Sequence, residues 1–87
     1  MLKLHKTIIV RSKQGLHARP AAMFVQIANK YDAQVSVRKG GEEINGKSIM
    51  GILMLGADSG TELVLTVEGP DASASLAELE AFLVKED

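Results

Sequence analysis

Apolar residues recur along this chain with two different periods. Between residues 2 and 10, Leu4, Ile8 and Val10 alternate with Lys3, His5 and Thr7, the two-residue period of a strand with one buried face. Lys6 interrupts the inward side and places this strand at an edge or open end of a sheet. After a loop at Ser12-Lys13-Gln14-Gly15 the period lengthens. From Ala18 to about Lys30, Ala18, Ala21, Ala22, Val25 and Ala28 follow helical spacing, with Phe24, Ile27 and Tyr31 widening the stripe. Pro20 is tolerated only in a first helical turn, where its missing N–H has no intrahelical partner, so the helix starts close to His17.

Alternation returns at Ala33, Val35 and Val37, set against Gln34, Ser36 and Arg38. Gly40-Gly41 supplies a tight hairpin, and Glu42 to Ile44 forms the return strand. Asn45-Gly46 turns into a brief helix from Ser48 to about Met54. Thr61 to Glu68 is the clearest strand, with Leu63, Leu65 and Val67 facing inward. Gly69-Pro70 ends it, and Asp71 stands as N-cap of a final helix. Ala72, Leu76, Leu79 and Leu83 make that helix's buried stripe, with Phe82 beside it. The order βαββαβα predicts an α+β fold, an open-faced sandwich in which helices cover one face of a four-stranded, mostly antiparallel sheet. It is one domain spanning 1–87.

Composition narrows the function classes. Eighty-seven residues bury only roughly 60–65% of their unfolded surface, and 46% hydrophobic residues suffice for one core. That core is aliphatic, since Phe24, Tyr31 and Phe82 are the aromatic side chains. The absence of cysteine excludes disulfides and thiolate chemistry. A net charge of −1 gives no reason to expect nucleic acid. The apolar run Ile49 to Ala57 contains two glycines and is far too short for a membrane span, and the N-terminus lacks a signal-peptide pattern. These features predict a cytoplasmic protein without membrane insertion.

Gly15-Leu16-His17-Ala18-Arg19-Pro20-Ala21 carries the candidate chemistry. A helix N-terminus offers unpaired N–H groups and partial positive charge, a seat for an anion. Imidazole titrates near neutrality and is nucleophilic when neutral, while arginine recognises oxyanions with a planar fork of donors. A phosphoryl group on His17 would be held by the helix start and Arg19, because phosphoryl transfer demands chiefly positioning and charge stabilisation. Asn45-Gly46-Lys47-Ser48-Ile49-Met50-Gly51-Ile52-Leu53-Met54-Leu55 is the second motif. Ser48 suits an N-cap, and the helix after it has more apolar residues than one buried face accepts. Ile49, Met50 and Leu53 are therefore expected to form an exposed docking patch, for which methionine is well suited. His5 reads as an outward strand residue, Glu42, Glu43, Glu78 and Glu80 as surface, and Lys13 and Lys47, which flank the two motifs, as a solvated face rather than positive potential for acidic partners. Nothing has metal-ligand spacing.

Together the two motifs resemble the HPr family, the histidine-containing phosphocarriers of the bacterial sugar phosphotransferase system. The resemblance spans the whole chain, including its length and element order. It implies that His17 accepts phosphate on Nδ1 from a phosphoenolpyruvate-dependent enzyme I, that Arg19 faces the phosphate and that the Ala18 amide helps hold it. It implies EIIA-type acceptors, no cofactor, a monomer, and a carrier role as a protein substrate rather than an enzyme. Ser48 matches the regulatory serine modified by an ATP-dependent kinase in many Gram-positive members. Retention of His17 disfavours the silent relatives that replace it. One alternative is a regulatory binding module, either the nitrogen-regulatory paralogue or a Ser48-phosphorylated partner of a transcriptional regulator. A small hydrolase with His17 as base is disfavoured, since no serine, cysteine or carboxylate constellation surrounds that histidine in the sequence.

Overall fold

The computed structural model describes residues 2–86, with elements in the order β1 (Lys3–Ile9), α1 (Ala18–Asn29), β2 (Gln34–Lys39), β3 (Glu42–Asn45), α2 (Ile49–Leu55), β4 (Glu62–Glu68) and α3 (Ala72–Val84). The strands form one sheet in the order β1-β4-β2-β3, and all three pairings are antiparallel. Helices cover one face and leave the other open, so the expected open-faced α+β sandwich is the fold. Alternation sets the core: Ile8, Val35, Val37, Leu63, Leu65 and Val67 project from the sheet into it. β1 is an edge strand. There Lys6 sits opposite Leu65 on the helix-covered face and reaches Glu80 of α3, Nζ to Oε1 2.7 Å, which satisfies the inward charge noted in the sequence.

The buried faces of the helices agree with the expected stripes only in part. α1 buries Ala21, Phe24 and Ala28, whereas Ala18 and Ala22 are exposed and Val25 is half-buried. The bulk of Phe24 decides the rotation: it fills the core between two alanines that let the helix approach closely. In α3, Ser75 takes the buried position with Ala72, Leu79 and Leu83, while Leu76 is only half-buried. A serine carries no apolar signal, so the pattern passed over it. Asp71 occupies the N-cap position of α3 but makes no capping bond. Its carboxylate instead accepts from the backbone N–H groups of Asp32 (2.9 Å) and Ala33 (2.8 Å).

One further surface assignment changes, and a second side chain is anchored. Glu78 accepts from Lys30 Nζ at 2.6 Å and from the Tyr31 hydroxyl, which fastens the end of α1 to α3. Lys47 keeps its charge but is anchored, since its Nζ donates to the Tyr31 carbonyl at 2.7 Å. Asn29 Nδ2 meets the Lys47 carbonyl at 3.3 Å, so the start of α2 is tied to the end of α1.

Candidate functional site

His17 is the N-cap residue of α1, with extended backbone (φ −114°, ψ 153°) and no capping bond from its side chain. Pro20 lies in the first turn, as its chemistry requires. The following Ala18 has φ +46°, in the left-handed region, where an L residue pays about 1–2 kcal/mol. The chain therefore turns sharply between His17 and the helix. By helix geometry the Ala18 and Arg19 amides lack intrahelical acceptors and add to the positive end of the dipole. Arg19 is exposed and borders a cleft of about 280 Å³ with Pro20, Met23, Phe82 and Lys85. An anion on the imidazole would thus meet backbone donors at the helix start.

No carboxylate neighbours His17 along the chain, but the fold brings one to it, contrary to the expectation that none surrounds it. His17 Nε2 lies 2.6 Å from Asp58 Oδ1, a residue 41 positions away. The side chains are 46% and 80% exposed respectively, so the pair sits at the surface. Several local features place it. Gly56 ends α2 in the left-handed conformation, φ 62° and ψ 43°, and turns the chain toward the start of α1. The Leu16 amide then donates to the Ala57 carbonyl at 2.7 Å. Gly15, at φ +65°, permits the approach: a Cβ there would lie 2.6 Å from the Ala57 oxygen and 2.9 Å from the Asp58 Cα. The contact is legible only once residues 15 and 57 are known to touch.

Ser48 is the N-cap of α2, its Oγ accepting from the Gly51 amide at 3.1 Å. Four of the seven α2 residues are exposed apolar side chains: Ile49, Met50 (63%), Leu53 and Met54 (71%). Met54, outside the expected trio, is the most exposed of them, and Met23 on α1 is exposed as well. α2 begins beside the end of α1 and ends beside its start, so the two helices run antiparallel. The apolar strip therefore leads from Ser48 toward His17 over about 10 Å of helix.

His5 stands apart on the open sheet face, with Nδ1 2.9 Å from Thr66 Oγ1. A broad cleft of about 700 Å³ on that face, bordered by Lys3, Ser36, Glu43, Thr66 and Glu68, does not include His17.

The family described as the PTS HPr component phosphorylation site matches residues 4–85. The chain is 42% identical over 83 residues to the HPr-like protein Crh of Halalkalibacterium halodurans, covering 95% of this chain and 99% of that one. It is 44% identical over 75 residues to the phosphocarrier protein HPr of Treponema pallidum, covering 86% and 85% of the two. The crystal structure of a phosphocarrier protein HPr from Bacillus anthracis matches with a TM-score of 0.92 at 42% identity, covering 95% of this chain and 99% of that one. With a family match over nearly its whole length, and a histidine at the start of α1 beside an exposed apolar helix, the chain belongs to the HPr family of the phosphotransferase system.

Proposed function

We propose that the protein is a phosphocarrier that takes a phosphoryl group from phospho-enzyme I on His17 Nδ1 and passes it to EIIA-type acceptors. The observation that carries this reading is the half-exposed imidazole at the N-cap of α1, a helix start whose free amides offer an anion a seat, with Arg19 two residues further along the chain. Such a group is reachable by two partners in turn, which a carrier requires. The strip Ile49, Met50, Leu53 and Met54 supplies an apolar docking surface beside it. No catalytic machinery of the chain's own is needed, because the partner enzymes supply the chemistry.

The test is incubation with phosphoenolpyruvate and enzyme I. Acid-labile phosphate is expected on the parent and none on His17→Ala, whose melting temperature should match. Undiminished labelling of that variant, or label on His5, overturns the assignment.

A second reading draws support from the Crh relative and from Ser48. In it the chain is a regulatory binding module, modified at Ser48 by an ATP-dependent kinase and docked to a transcriptional regulator. Phosphoserine there adds a charge of about −1.5 to −2 at the edge of the apolar strip, a helix length from His17. It would act on partner binding rather than on the imidazole.

A further inference from the structure

We propose that Asp58 is a positioning residue for His17, selecting which ring nitrogen takes the phosphoryl group. This rests on the phosphocarrier reading. A neutral imidazole has one N–H and one lone pair, and the partner of one nitrogen decides the role of the other. Asp58 Oδ1 at 2.6 Å from Nε2 is an ionised acceptor and has no hydrogen to donate. The proton therefore resides on Nε2, and the lone pair is left on Nδ1, across the ring from the carboxylate.

The chemistry balances without a proton leaving the site. The Nδ1 lone pair forms the N–P bond, while the bond from phosphorus to the donor's group breaks and its electron pair returns to that donor. The ring keeps its Nε2 proton and becomes positively charged. Asp58 then faces an imidazolium, and its attraction strengthens as the bond forms, the condition for accelerating a step rather than only binding its reactant. Onward transfer reverses these changes and restores the neutral ring.

The loop that carries Asp58 is tied down on several sides. The Leu16 amide holds Ala57, the Gly60 amide donates to the Val10 carbonyl at 2.8 Å, and the Thr61 amide donates to the Asp58 carbonyl at 3.0 Å. Gly15, in the loop before α1, meets the backbone of the same loop. The carboxylate is thus delivered by backbone docking, not by a freely moving surface segment.

Three proteins test the assignment: the parent, Asp58→Asn and Asp58→Ala. The nitrogen-15 shifts of the neutral His17 ring report which nitrogen bears the proton, and transfer from phospho-enzyme I gives kcat and KM. The parent is expected to show the Nε2–H form, and both variants a mixture of the two tautomers. Because the pair is exposed, kcat should fall by about two- to fivefold, with KM for enzyme I unchanged. Identical tautomers and equal kcat in all three proteins overturn the proposal. So does a rise in KM alone, which would make Asp58 a docking residue. If the parent takes no phosphate while its ring is Nε2–H and the variants are mixed, the carrier reading fails and the tautomer assignment stands.

Discussion

Arg19 lies two residues beyond His17, in the same helical turn, and its exposed side chain spends nothing on the core. A charge-assisted hydrogen bond to phosphate is worth roughly 1.5–3 kcal/mol, so Arg19→Ala should slow transfer by about tenfold or more. Its melting temperature should equal the parent's. Transfer rates within twofold of each other would mean that the helix amides alone hold the phosphate. At this scale the motif residues were legible because they are neighbours in sequence: His17, Ala18 and Arg19 share one turn, and Ser48 caps the helix it precedes. Asp58 was illegible for the opposite reason. No local pattern marks an aspartate in a loop as the partner of a histidine 41 residues earlier. Gly15 was the nearest hint, since its close approach is to the Ala57–Asp58 backbone.

Between elements, two carboxylates fasten helices to their surroundings. The Asp32 amide, followed by that of Ala33, holds the Asp71 carboxyl below its ordinary value. Glu78 is held low by the Lys30 ammonium and then by the Tyr31 hydroxyl. A carboxyl with a depressed folded pKa stabilises the fold above its unfolded pKa, and that contribution disappears as pH falls through the depressed value. Stability should therefore be constant near neutrality and decline below about pH 4, the ordinary carboxylate range. Asp71→Asn should be less stable than the parent at neutral pH and lose less on acidification. Denaturant unfolding across that range checks this, and parallel pH profiles for the two proteins would show that the carboxylate is not responsible. At the element scale every strand and helix was legible, from alternation, Pro20 and the turn glycines. Helix rotation was legible only in part: Ala18 and Ala22 face solvent and Ser75 faces the core, because Phe24 and Ser75 were placed by what the sheet left to fill.

For the molecule as a whole, antiparallel packing of α1 and α2 makes one surface out of two motifs far apart in sequence. Met50→Glu puts a charge into the apolar strip, yet Met50 is mostly exposed and contributes little to the core. Partner binding should weaken while stability changes by no more than about 0.5 kcal/mol. Titration with enzyme I, set beside thermal melting, separates the two; a large loss of stability with full binding would place Met50 in the core instead. Element order, the open-faced α+β architecture and the histidine-arginine turn are readable along the chain, since each follows from periodicity, capping or residues within one turn of each other. Tertiary structure alone decided the strand order β1-β4-β2-β3, the rotation of α1 and α3, the use of Asp71 and Glu78 as ties between elements, and the placing of Asp58 on His17. Those features depend on which distant segments meet. Local chemistry limits the conformations each segment can adopt, but close packing and backbone hydrogen bonds between segments select which neighbours it receives.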